Sequence, residues 1–259
     1  MTLSGLRVLL AEDNPINQLV ASQMLESLGA SVIVAEDGAE ALEIVGRGNF
    51  DVMLVDIEMP RVNGIEVLRT VRGSPGPIAA MPMIALTAYV MREHRAAIDA
   101  AGADGVIAKP ILSIEQFGAD IRRYMRRRTV AADPVHDHAG TANQTTQSVL
   151  DQNIYDALAE AIGPASMAEL LGKVDPDIQS ARDRLVRARD PLDLGEIRSV
   201  THILISVAGA IGAVRVQELA KRINAAGHRN DAIAVEQDMQ GLLGEIARLL
   251  DCVETLIDG

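Results

Sequence analysis

The sequence predicts a doubly wound α/β unit with a five-stranded parallel sheet, followed by an all-α four-helix-bundle domain. Three observations carry this. Up to Arg128, short aliphatic runs alternate with amphipathic stretches; residues 129–150 keep no sustained period; everything beyond is helical in pattern. A length of 259 residues suits two medium domains, each long enough to bury a core. The expected division is 1–128, a linker at 129–150, and 151–259.

The strands are read from "RVLLA", "SVIVA", "DVMLVD", "MIALTA" and "GVIAK", each followed by a helical pattern. Runs that are apolar on both faces belong in a parallel sheet covered by helices on each side. In "AEDNPIN", Asn14 is placed to cap the first helix and Pro15 suits its first turn. The segment "TVAADPVHDHAGTANQTTQSVL" reads as a linker. Its His136 and His138 lack further ligands at metal-binding spacing and are read as solvated. Helices are expected near Asp151–Ile162, Pro164–Arg189, Asp193–Ile211, Ala213–Ala226 and Asp231–Ile257, where Asp175 and Pro176 either cap a fresh helix or kink the second one. A short helix plus a four-helix bundle is the natural packing.

Composition narrows the function. The net charge of −12 opposes binding to nucleic acid or an anionic membrane, because phosphates would be repelled. Most of that excess is C-terminal: 13 basic against 16 acidic residues up to Arg128, then 11 against 20. With no Trp and five Phe or Tyr in all, base-stacking platforms are not expected. Cys252 is the only cysteine, so no intrachain disulfide forms. The chain opens on a strand-like run rather than a basic segment with an apolar core, and a cytoplasmic location is expected. The apolar run from Ile203 to Val214 is too short to span a bilayer.

Chemistry gathers at the strand ends. Glu12 and Asp13 close the first strand, Asp56 the third, Thr87 the fourth and Lys109 the fifth, and open α/β sheets place their sites along that edge. Three carboxylates gathered there repel one another unless a divalent cation compensates them, and a hard all-oxygen site suits Mg²⁺. Beside such an ion Asp56 is a nucleophile toward a phosphoryl group, with the Thr87 hydroxyl and the Lys109 charge on the phosphoryl oxygens.

Through "EDN", "DIEMPRVNG", "LTA" and "KP", this unit resembles a two-component response-regulator receiver of the flavodoxin-like type over its full length. "EDNPINQ" and "RGSPGPIAAMP" look most like the receivers of hybrid sensor kinases. The resemblance implies Asp56 as phosphoacceptor, Glu12 and Asp13 as metal-site acids, and the Glu58 carbonyl as a further ligand. It also implies Thr87 and Lys109 as phosphate-sensing groups and a cis peptide before Pro110. Val106 stands where the family usually has an aromatic switch residue, and Tyr89 is a candidate substitute. Glu58 and Tyr89 flank the site and are expected to hinder attack by water on the aspartyl phosphate.

In "VTHILISVAGAIGAV", Ile197, Val200, Thr201, Leu204, Ala208 and Ile211 form the buried stripe of a helix. His202 lies off it, with Arg198, Ile205, Ser206 and Gly209 on its face, and is expected to be accessible to a partner. The stretch is similar to the signature of histidine-containing phosphotransfer (HPt) domains. Ile205 occupies the usual lysine position and Ser206 the usual glycine position. Arg198, one turn earlier, is the candidate replacement for the missing cation.

These features predict a Mg²⁺-dependent phosphorelay protein that accepts phosphate at Asp56 and relays it through His202. No glycine-rich phosphate loop is present, so the chain is not expected to be an ATP-using enzyme. A histidine kinase and other phosphorelay proteins are the expected partners. The alternative is a receiver joined to a degenerate bundle that acts as a phosphorylation-controlled binding module, with exposed Ile205 in a docking patch. A phosphatase with an aspartyl-phosphate intermediate fits less well, because the acidic pair precedes the nucleophile.

Overall fold

The computed structural model describes residues 2–87, 92–109, 111, 113–127 and 148–258. The expected cis bond before Pro110, the side chain of Tyr89, Arg128 and linker residues 129–147 with His136 and His138 lie outside them.

Five strands, β1 (Arg7–Ala11), β2 (Ser31–Ala35), β3 (Val52–Asp56), β4 (Met83–Thr87) and β5 (Gly105–Ala108), alternate with α1 (Pro15–Ser27), α2 (Gly38–Arg47), α3 (Gly64–Gly73), α4 (Arg92–Ala100) and α5 (Ile114–Arg127). The sheet is parallel throughout, in the order β2-β1-β3-β4-β5. The strand order reverses between β1 and β3, so the crevice at their C-terminal ends is the topological switch point.

Alternate residues of each strand feed opposite faces. Leu9, Met53, Val55, Met83 and Ala85 pack under α2 and α3, whereas Val8, Leu10, Leu54, Ile84 and Leu86 pack with α1 and α5 residues such as Met24 and Phe117. Burial on both faces explains why the strands read as unbroken aliphatic runs. Asn14 Oδ1 accepts from the Ile16 and Asn17 amides, at 2.9 and 3.1 Å, with Pro15 opening α1 as expected.

The remaining helices are α6 (Gln152–Arg187), α7 (Leu194–Ala210), α8 (Val214–His228) and α9 (Ala232–Asp258). α6 is two helical segments joined at Gly163, whose φ of 78° and ψ of 165° suit only glycine; Pro164 then restarts the helix. The break therefore falls at Gly163, and the chain stays helical through Asp175 and Pro176. Leu150 is already buried, and the Asp151 amide donates to the Gly212 carbonyl, tying the start of α6 to the α7–α8 turn.

The two units touch. α1 packs against α6 and α7, and the apolar cluster under α1 runs on into bundle residues such as Leu170, Ile178 and Leu204. Among the described residues no helix is long and apolar enough to cross a membrane.

Candidate functional site

The strand ends deliver the five expected side chains to one edge. Glu12 follows β1, Asp56 ends β3, Thr87 ends β4 and Lys109 follows β5; all four are buried, and Asp13 is partly so. Carboxylate oxygens of Glu12, Asp13 and Asp56 lie within 4.8 Å of one another. Lys109 Nζ reaches across, 2.5 Å from Glu12 Oε2 and 2.8 Å from Asp56 Oδ2. Asn17 Nδ2 donates to Glu12 Oε1 at 2.9 Å and so fixes that carboxylate from α1. Gly64 lets α3 start against the strand that carries Asp56, since a Cβ there would fall 2.1 Å from the Asp56 carbonyl oxygen.

Electrostatics follow from crowding in a dry site. Burial pushes the Glu12 carboxyl up to about 7, with Asp56 adding to the rise and Lys109 opposing it. Asp13 is also raised, by burial first and then by the Asp56 charge. Burial pulls Lys109 down, but Asp56 and Glu12 more than offset this, so it lies above the ordinary lysine value and stays charged. Three acids against one lysine leave an excess of negative charge directed at the crevice.

The bundle covers this edge. His202 Nδ1 lies 2.6 Å from Glu58 Oε2, within ion-pair range though not aligned as a hydrogen bond. Burial lowers the imidazole pKa, and the Glu58 carboxylate, with Asp56 behind it, more than reverses this, so the net shift is upward. A cleft of about 220 Å³ separates the two units, lined by Glu12, Asp13 and Asp56 on one side and Arg184, His202 and Ser206 on the other. His202 retains 18% side-chain exposure.

α8 fixes the histidine helix. Asn224 Nδ2 donates to the Arg198 carbonyl (2.9 Å) and to Thr201 Oγ1 (3.0 Å), and Gln217 Nε2 donates to the Ile205 carbonyl (3.1 Å). The expected stripe, Ile197, Val200, Thr201, Leu204, Ala208 and Ile211, is buried throughout.

Three expectations about this face are corrected. It is not open, because the receiver edge lies over His202. Ile205 is 1% exposed and belongs to the apolar cluster, so it forms no exposed docking patch for the binding-module reading. Arg198 is not among the residues that line the cleft: its Cγ packs over Gly227 of α8, where a Cβ would come within 2.8 Å of it. The arginine that lines the cleft is Arg184, whose Nε lies 2.7 Å from Glu196 Oε1. A sequence signal for it existed. Asp177, Ser180, Ala181 and Arg184 sit at i, i+3, i+4 and i+7 on α6, along one edge of its apolar stripe, and all four line the cleft.

The Glu58 carboxylate is turned toward His202, a placement that reading it only as a guard against water did not foresee. Val106 is already buried in the core under the sheet, with its carbonyl accepting from Tyr124 Oη at 3.1 Å, so no ring swings inward at this position.

Comparison with known proteins places the first half of the chain. The model of the response regulator receiver domain matches residues 8–122. The aerobic respiration control sensor protein ArcB of Escherichia coli K12 is 30% identical over 230 residues, 86% of this chain and 28% of that protein. Sensor histidine kinase AruS of Pseudomonas aeruginosa is 28% identical over 214 residues, 82% of this chain and 20% of that protein. Both alignments extend past the receiver into the helical region, and the chain spans under a third of either relative. Among solved structures, the receiver domain of sensor histidine kinase PA1611 from Pseudomonas aeruginosa PAO1, with magnesium coordinated in its active site cleft, is 33% identical. That match covers 47% of this chain and 98% of that one, with a TM-score of 0.44. With the strand order and the acidic edge, the family match identifies residues 8–122 as a response regulator receiver domain of the two-component type.

Proposed function

We propose that this chain is a phosphorelay protein in which Asp56 accepts a phosphoryl group and His202, in an HPt-like bundle, exchanges it with Asp56. One observation carries the reading: Asp56 and His202 line a single cleft from opposite sides. A histidine kinase supplies the phosphoryl group as phosphohistidine. The Asp56 carboxylate oxygen forms the new P–O bond while the donor's P–N bond breaks.

The receiver side suits Mg²⁺. Glu12, Asp13 and Asp56 offer three hard oxygen donors within 4.8 Å, and the Glu58 main-chain carbonyl is the proposed fourth. When bound, the ion contributes positive charge to the phosphoryl oxygens. Around it, Lys109 holds Asp56 from one side, Thr87 presents its hydroxyl at the end of β4, and docked α7 limits access of water. Burying the phosphoryl group between two protein surfaces strengthens each charge interaction on it and slows hydrolysis.

The test is labelling of the full chain with acetyl phosphate and Mg²⁺, followed by separation of base-labile acyl phosphate from base-stable phosphohistidine. Label on Asp56 and then on His202 is expected. Label that stays on Asp56 in the presence of a competent phosphorylated partner assigns the bundle to binding alone. Continuous turnover of small phosphate esters assigns a phosphatase.

A further inference from the structure

His202 has two ring nitrogens, and only one remains available for the proposed chemistry. Nδ1 faces Glu58 Oε2 at 2.6 Å, which leaves Nε2 as the nitrogen for attack. Both partners are held by their surroundings. The ring stands on α7, latched to α8 through Asn224 and Gln217. Glu58 follows Asp56 by two residues, and its amide donates to Asp56 Oδ1 at 3.3 Å. The carboxylate that meets the imidazole thus rides on the same turn as the phosphoacceptor. The cleft that His202 shares with Asp56, about 220 Å³, is several times the roughly 30 Å³ of a water molecule and has room for a phosphoryl group.

We propose that Glu58 is a positioning residue for the transfer: its carboxylate, in ion-pair contact with Nδ1 of His202, keeps that nitrogen protonated and so leaves Nε2 for the phosphoryl group on Asp56. This rests on the relay reading above. A carboxylate on one imidazole nitrogen fixes which tautomer is present and how the ring is turned. In the step, the Nε2 lone pair forms the P–N bond while the P–O bond to Asp56 breaks and its carboxylate is released. Nδ1 keeps its proton throughout, so the ring gains a positive charge, and Glu58 offsets it. The reverse transfer uses the same contact. Because Glu58 belongs to the receiver and His202 to the bundle, the tautomer is set only when the two are docked.

The experiment uses the full chain with ¹⁵N-labelled histidine, as parent, Glu58→Gln and Glu58→Ala. Glu58 is 36% exposed on its side chain, so both variants are expected to fold. Ring ¹⁵N shifts of His202 are recorded before phosphorylation. Transfer is then followed in a single turnover as rate per phosphorylated Asp56, and the nitrogen that carries phosphate is identified by NMR. The parent is expected to hold its proton on Nδ1 and take phosphate on Nε2. Removing the orienting partner of a metal-bound histidine costs about 10- to 100-fold; a slowing of that order is expected for Glu58→Ala, together with altered ring shifts. Glu58→Gln keeps an acceptor and should be rescued in part. Unchanged rate and spectrum in Glu58→Ala, or phosphate on Nδ1 in the parent, overturns the inference while the relay stands. A slower rate with an unchanged ring spectrum also overturns it, by assigning Glu58 to docking alone. No label on His202 in the parent removes the relay reading and this inference together.

Discussion

Asp56 and His202 face the same cleft, yet their surroundings are positioned by different means. Around Asp56 the functional groups stand at the ends of four paired strands, and the sheet register carries each to the crevice. Around His202 they come from two helices, α6 and α7, and from the loop after β3 in the other unit. A strand end leaves a side chain little choice of where to stand. A helix leaves its face open until packing decides what covers it. The surroundings of Asp56 are thus set within the receiver, and those of His202 are completed by docking.

That contrast breaks most sharply on Asp56 itself. Asp56→Asn removes the proposed nucleophile, and no label from acetyl phosphate is expected on any residue of the variant, as measured by radiolabel incorporation. EDTA should do the same to the parent, since three clustered acids need charge compensation before a phosphoryl group can approach. Labelling that survives either treatment would place the chemistry elsewhere.

Next in size is His202→Gln, which should stop the label at Asp56 and abolish base-stable phosphate. Phosphohistidine in that variant would show that another residue relays. The two arginines then sharpen the helical side. Arg184→Ala removes a cation lining the cleft, and a charge-assisted contact of about 1.5 kcal/mol implies roughly tenfold slower transfer. Arg198→Ala removes a stem packed on Gly227 and should change the rate far less. The reverse order, read from single-turnover rates, would restore Arg198 to the role its sequence position suggested.

The smallest effects separate two glycines. In Gly64→Ala the new Cβ meets the Asp56 carbonyl, which is backbone and cannot step aside, so a loss of about 1–3 kcal/mol is expected by denaturant titration. In Gly227→Ala it meets the flexible Arg198 stem within a helix, where alanine is intrinsically favoured, and a change within about 1 kcal/mol is expected. Equal losses would contradict the view that the acceptor side is the more rigidly built.

The same contrast explains what the sequence made legible. Aliphatic runs with period-two burial on both faces gave the strands, the Asn14 and Pro15 cap fixed the start of α1, and Glu12, Asp56, Thr87 and Lys109 followed from strand order. The buried stripe of α7 was equally readable, because six apolar or small residues recur at helical spacing. What covers the other face of α7 was not readable. Ile205 is buried although it lies off the stripe, and Glu58 meets His202 from 144 positions earlier in the chain; no local pattern encodes such a contact. Arg184 is not legible from the residues around His202, because proximity along α7 is not proximity in space. The row of Asp177, Ser180, Ala181 and Arg184 along the edge of the apolar stripe of α6 is the local signal that points to it.

In the proposed relay, one chain brings Asp56 and His202 together for transfer. Its most direct measurement is the rate at which base-stable phosphate appears on His202 after acetyl phosphate is removed from prelabelled chain, taken across a hundredfold range of protein concentration. Intrachain docking predicts a first-order rate independent of concentration. A rate that rises in proportion to concentration, or no phosphohistidine at any concentration, would contradict it.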